Sequence, residues 1–401
     1  MESAKHRLAS RLEGVSESAT LKLNALVQAL KARGVDVVNL TAGEPDFHVP
    51  EVANVAVRDA LDAHKSKYTP VPGVLELREA VARKTNLQQP TATASTQWKA
   101  GDVVVTNGGK QALFNAFLAL LNPGDEVIIP GPFWLSYPEM VKLAGGTPKI
   151  LRATFEQGFK ITPSQLRGAL TARTRVVVLN SPSNPTGAMY SKAEFAALGE
   201  VLAQAPDVCV ISDEIYDRIA LSDVSFCSFL EAAPALRDRV ITVNGMSKAA
   251  AMTGWRIGWS VAPQWITQAM STIQGQSTSG INALAQWASL AALKLPEAEF
   301  AGQIETYRRR RDLALEILKK AGKLKVFVPQ GAFYVFFGVG GYLRAGEDSV
   351  GFAERILEKA GVAVVAGAPF GEPEWLRLSF STDDKQLSEG CRRIVSFLES
   401  C

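Results

Sequence analysis

The chain has 401 residues, 47% of them hydrophobic and 21% charged, so a sizeable core and two domains are expected. Its 43 basic and 40 acidic residues leave a net charge of +3, which makes no electrostatic case for nucleic acid or a membrane as partner. Four cysteines (Cys209, Cys227, Cys391, Cys401) show neither metal-ligand spacing nor a disulfide framework, and the N-terminus lacks an apolar signal stretch; a soluble cytoplasmic protein without a metal is the expectation.

A polar arm runs to about Thr20, followed by an amphipathic helix through Arg33 and Gly34. Residues 35–40 read as a short strand entering the turn Thr41-Ala-Gly43-Glu-Pro45. Tyr68 and Gly73 precede a helix from Leu75, and the Gln/Thr/Ala-rich residues 86–99 read as a surface connection. From there apolar, β-branched runs at 103–105, 126–129, 175–179, 208–211 and 240–243 alternate with helical stretches. Continuous apolar strands separated by helices indicate a parallel sheet covered on both faces, an α/β architecture that binds ligands outside the strands' carboxyl ends. From about Ala292 the pattern changes to a helix, strands near 323–327 and 333–337, another helix and Trp375-Leu-Arg377-Leu-Ser379, a smaller α+β unit. The run Arg308-Arg-Arg-Arg311 reads as a solvated helix face or a set of ion pairs.

Four of the strands end in chemistry. After Val105 comes Thr106-Asn-Gly108-Gly109-Lys110-Gln111, opening a helix whose positive end can receive an anion. It is not a nucleotide P-loop, because Val104 and Gln111 stand where that motif needs Gly and Ser or Thr. No G-x-G-x-x-G follows any strand, and taken alone this is as well read as a plain strand-to-helix turn. After Leu179 comes Asn184-Pro-Thr-Gly187, an amide in a Pro/Gly turn. After Ile211 comes Asp213-Glu-Ile-Tyr216; in isolation Asp213 reads as a helix cap, but a carboxylate at a buried strand end demands a cation. After Val243 comes Lys248, an amine that burial would make neutral and nucleophilic, although any single lysine is by default solvated. An anion cradle, an amide, a carboxylate and a lysine delivered to one rim are better explained by one shared ligand than by chance.

From about Ala19 to Phe397 the chain resembles the class I aminotransferases that use pyridoxal 5'-phosphate (PLP). The resemblance is carried by Asn184-Pro-Thr-Gly187, Asp213-Glu-Ile-Tyr216, Ser247-Lys248 with Arg256-Ile-Gly258, and Trp375-Leu-Arg377-Leu-Ser379. It implies fold type I: a mostly parallel seven-stranded sheet in an α/β/α large domain (51–291), with 1–50 and 292–401 forming a smaller α+β domain with an N-terminal arm. It implies that Lys248 joins the cofactor aldehyde and then serves as base and acid. Asp213 would pair with the pyridine nitrogen, Asn184 and Tyr216 with the ring oxygen, and Trp134 would stack on the ring. Arg256, Ser247 and the backbone of Gly109 and Lys110 would hold the phosphate, with Gly245 standing where many relatives have serine. Arg377, helped by Gly43, would hold the substrate α-carboxylate. Tyr68, and with it Thr278, would reach the cofactor phosphate of the second subunit of a homodimer.

Gly108-Gly-Lys110-Gln-Ala-Leu and Phe133-Trp134-Leu-Ser-Tyr are most similar to a bacterial subgroup of aspartate aminotransferases. There the lysine matching Lys110 binds the side-chain carboxylate. Other relatives use a partner arginine, at a position that aligns with Gln274. The implied reaction is ping-pong transfer of the amino group from L-aspartate to 2-oxoglutarate, giving oxaloacetate and L-glutamate. Alternatives are an aromatic, alanine or broad-specificity aminotransferase, or a lyase of the same fold. Whether Lys110 acts alone or with Gln274 or a neighbour's Thr20 stays open. Members active on prephenate carry a lysine where this arm has Ser16, so weak or absent prephenate activity is expected.

Overall fold

The computed structural model describes residues 9–16, 19–89, 93 and 95–401; the side chain of Thr20 lies outside the described residues. The strands in chain order are β1 (Val38–Asn39), β2 (Val103–Asn107), β3 (Glu126–Gly131), β4 (Thr147–Arg152), β5 (Thr174–Asn180), β6 (Cys209–Asp213), β7 (Val240–Gly245) and β8 (Ile257–Val261). They are followed by β9 (Lys325–Val326), β10 (Tyr334–Gly338), β11 (Val362–Ala363), β12 (Val365–Ala366) and β13 (Trp375–Ser379).

Seven of them form one sheet in the order β2-β8-β7-β6-β5-β3-β4. The β7–β6–β5–β3–β4 neighbours are all parallel, while β8 runs antiparallel to both β2 and β7. Side chains alternate across the strands: Val177, Leu179 and Val210 enter one core with Trp259, whereas Val176, Val178, Ile211 and Val243 enter the core on the opposite face. Both faces are therefore dry, and the runs read as continuously apolar rather than alternating.

β4 and β8 are absent from the sequence reading. β4 is an edge strand with half its residues exposed and no apolar run to announce it. β8 follows the lysine turn closely, and its composition says nothing of its direction. The segment 86–99 also departs from a plain surface connection. Trp98 is buried, its backbone N–H donates to Asn86 Oδ1 (2.8 Å), and the Arg237 guanidinium stacks 3.5 Å from its ring centroid.

A second core is built on the antiparallel sheet β12-β13-β10-β9, covered by helices Ala301–Leu318, Ser349–Ala360 and Asp384–Glu399. Phe333, Phe337, Phe352, Leu378 and Ile394 pack there with Val38 and Leu40. β1 pairs with β11, which carries the N-terminal segment onto this second unit. The four-arginine run is a set of ion pairs: Arg310 is buried and bridges Asp46 (2.8 Å) and Asp384 (3.2 Å). Among the described residues no helix is long and apolar enough to cross a membrane.

Candidate active site

A cavity of about 620 Å³ opens at the carboxyl edge of the large sheet. Gly43, Gly109, Lys110, Trp134, Asn184, Asp213, Tyr216, Ser247, Lys248, Arg256 and Arg377 all line it. The topology explains the convergence. β2, β5, β6 and β7 point the same way, so Gly109, Asn180, Asp213 and Lys248 follow from neighbouring strand ends. Arg256 joins them because β8 is antiparallel, so the residue before its first position lies at the same rim.

Asp213 is buried at the end of β6. Its Oδ2 accepts from the Tyr137 hydroxyl (2.6 Å) and its Oδ1 from the Ile215 amide (3.3 Å). Burial pushes the carboxyl up to about 6, against the lowering effect of those donors. Among the described residues it has no lysine or arginine within ion-pair distance: its hydrogen-bond donors are neutral, and Lys248 lowers its pKa only from farther off. Asn180 donates to the Asp213 carbonyl (2.9 Å) and accepts from the Asn184 amide (2.9 Å), tying two strand ends together.

The Lys248 ammonium donates to the Gly43 carbonyl. Burial pulls its pKa down to about 8; Glu44 acts to raise it, while Arg377 and Arg256 lower it further. At that value about a tenth of the amine is neutral at pH 7, far more than for an ordinary lysine, and the neutral form is the nucleophile. Tyr216 is buried, its hydroxyl 3.0 Å from that of Tyr334.

Arg377 is a buried cation facing neutral acceptors only: Nη1 donates to Asn184 Oδ1 (2.9 Å) and Nη2 to the Thr41 carbonyl (3.2 Å). Its Nε is buried without an acceptor. A buried guanidinium left so costs several kcal/mol, roughly, until an anion arrives.

The helix Gly109–Leu120 begins at Gly108 with no side-chain cap, so its first amides face the cavity as donors. Arg256 bends over this end, Nη1 on the Thr253 carbonyl (3.0 Å) and Nη2 on that of Asn107 (3.4 Å). Gly258 permits the approach, for a Cβ there would fall 2.2 Å from the Gly109 nitrogen. The departure at Gly245 has a steric reason: a Cβ would meet the Ile257 carbonyl oxygen at 2.7 Å, so this backbone does not admit serine. Ser247 remains at the cavity wall as a hydroxyl donor.

Lys110 sits 4.9 Å from the Trp134 ring centroid, its pKa lowered by burial and then by Arg256. Trp134 meets Tyr137 edge-on at 5.3 Å. Gln274 does not point out toward a neighbour. It is fully buried, its Nε2 donating to the Val71 and Val105 carbonyls (both 2.9 Å) and its Oε1 accepting from Asn115 (3.1 Å). Two candidates stand outside the cavity: Tyr68 is 98% exposed, and Thr278 accepts from Gln111 (2.8 Å).

Residues 35–394 match the family "Aminotransferase class I and II". The chain belongs to this family. It is 45% identical to the aspartate/prephenate aminotransferase of Cereibacter sphaeroides, over 97% of this chain and 98% of that one. It is 44% identical to the aspartate/prephenate aminotransferase of Thermus thermophilus, over 98% of each. The solved structure of the Rhizobium meliloti aspartate aminotransferase superposes with a TM-score of 0.93 at 39% identity, covering 98% of this chain and 99% of that one. The protein is thus a transaminase of fold type I, with PLP as its cofactor.

The residues fit that cofactor. An uncapped helix end beside Arg256 suits a phosphate, a buried acid with no ion pair suits a protonated pyridine nitrogen, and a lysine whose pKa burial lowers suits an aldehyde.

The sequence reading missed Tyr137, Tyr334, Asn180 as a tether, and Glu44. Tyr137 lies three residues after Trp134, which precedes the helix Ser136–Leu143; a turn sets the two rings edge-on, and no helical spacing signals it in the sequence.

Proposed function

We propose that this chain is an aspartate aminotransferase, passing the amino group of L-aspartate to 2-oxoglutarate in two half-reactions and releasing oxaloacetate and L-glutamate. PLP supplies the aldehyde that takes the amine and the ring that takes up the electron pair freed at Cα. The reading is carried by one observation: a buried acid whose hydrogen-bond donors are neutral and a buried arginine whose acceptors are neutral line one cavity with a buried lysine.

In this reading Arg377 binds the α-carboxylate through the donors now spent on neutral acceptors and through its orphan Nε. Lys110 would take the distal carboxylate, and Trp134 would stack on the cofactor ring. The Lys248 nitrogen removes that proton from Cα and later returns it. Asp213, oriented by Tyr137, would hold a proton on the pyridine nitrogen, and Asn184 and Tyr216 would donate to the ring oxygen. Gly109, Lys110, Ser247 and Arg256 anchor the phosphate.

The division into a large unit (51–291) and a small one (1–50 with 292–401) is part of the proposal. Closure of the small unit would carry Arg377 inward and exclude water. A cytoplasmic homodimer is proposed on the same basis; the exposed Tyr68 ring supports it, since a partner would cover it beside the second site.

The test is borohydride reduction of the holoenzyme followed by digestion and mass spectrometry. The pyridoxyl mass should appear on the peptide holding Lys248, and Lys248→Ala should abolish turnover. A tag on another lysine, or retained transamination in the variant, overturns the proposal.

A further inference from the structure

Two cations, Arg377 and Lys110, match the two carboxylates of a dicarboxylic amino acid, and one further charged group in the cavity is left without a role. Glu44 follows Gly43 in the turn entered from β1 and lines the cavity beside Lys248 and Arg256. Its Oε2 accepts from Thr253 Oγ1 (2.7 Å). Among the described residues no lysine or arginine nitrogen lies within the 4.0 Å ion-pair distance of this carboxylate. The loop on either side of it is fixed: Gly43 holds Lys248, Arg377 holds the Thr41 carbonyl, and Arg310 holds Asp46 (2.8 Å). The carboxylate is thus an exposed anion, tethered by Thr253, in a cavity lined also by Lys110, Lys248, Arg256 and Arg377, with Asp213 the other, buried acid.

Donor and acceptor substrates differ at Cα by one charged group, the ammonium. We propose that Glu44 is the docking group for the α-ammonium of the incoming amino acid, and so favours amino donors over oxo acids at the first encounter. Oε2 stays tethered to Thr253 while Oε1 accepts from the ammonium, and the two substrate carboxylates go to Arg377 and Lys110. Glu44 also raises the Lys248 pKa, which places its negative field over the position where the amine must arrive.

This inference rests on the aminotransferase reading, and its test separates the two. The holoenzyme and its Glu44→Gln variant are titrated spectroscopically with α-methyl-L-aspartate, which has both carboxylates and the amine but no Cα–H, and with succinate, which lacks the amine. Glutamine keeps the size and the Thr253 hydrogen bond, so the fold persists. The variant should bind the amine ligand about fivefold more weakly, as expected for one accessible charge pair, with succinate unchanged. In turnover, KM for L-aspartate should rise while KM for 2-oxoglutarate stays put. Equal weakening of both ligands would assign Glu44 to loop shape alone and overturn the proposal, as would unchanged binding of the amine. A wild-type enzyme that fails to transaminate L-aspartate would instead refute the underlying reading.

Discussion

Asp213 imposes a stability cost that can be read as a function of pH. Burial raises its carboxyl from 3.8 to about 6. Between those values the folded chain keeps a proton that the unfolded chain has lost, so stability falls as pH rises through the window. The gap, at about 1.4 kcal/mol per pH unit, amounts to about 3 kcal/mol at pH 7 and roughly half that at pH 5. Asp213→Asn keeps the shape and leaves an acceptor for Tyr137 or the Ile215 amide while removing the charge. The cofactor-free variant should therefore match the wild type near pH 4 and exceed it by about 3 kcal/mol at pH 7 and above. Urea unfolding followed by circular dichroism, at one protein concentration because subunit association shifts the midpoint, measures this. Transamination by the variant should be lost, since nothing then holds the proton on the pyridine nitrogen. A stability gap that is flat with pH, or that closes as pH rises, would refute the account of Asp213 as an unpaired buried acid.

Lys110→Ala should lower kcat/KM for aspartate and glutamate by about 10- to 100-fold, the worth of a charge-assisted hydrogen bond, while sparing neutral amino donors. An equal loss across a substrate panel would remove Lys110 as the selector. Gly258→Ala forces a Cβ onto the backbone at Gly108 and Gly109, and overpacking of this kind costs about 1–3 kcal/mol. Its melting temperature and its affinity for PLP should both fall, and unchanged cofactor affinity would show that the helix end is not the phosphate seat. With Ser16 in the arm, whose amide donates to Glu139 (2.9 Å), prephenate should be a poor amino acceptor beside oxaloacetate; comparable kcat/KM values would contradict this.

The parts of the site legible in the sequence are those where one short segment carries both the strand and its terminal chemistry. Asp213 and Lys248 follow apolar runs directly, and burial of such runs on both faces fixes where their ends must lie. Relations that depend on strand direction or on distant segments were not legible. Arg256 was visible as a motif, but only an antiparallel β8 brings it to the rim, and nothing in Ile-Gly-Trp-Ser-Val states that direction. Gln274 aligned with a substrate-binding arginine, yet an amide can be satisfied entirely by its own chain. Its three internal hydrogen bonds use both of its donors, leaving none for a carboxylate. That internal commitment takes Gln274 out of the proposed distal-carboxylate site and leaves Lys110 as the proposed cation there, since burying a carboxylate requires one. The same reasoning separates tethers from binding groups throughout the cavity. Asn180 and Tyr137 have their polar atoms engaged within the chain, as Gln274 has outside the cavity, whereas Asp213, Arg377 and Glu44 make no ion pair among the described residues, Lys248 acting on the two acids only at longer range. Where such charge is buried, as at Asp213 and Arg377, it is costly to fold around, and its place in this chain suits ligands that bring both signs of charge with them.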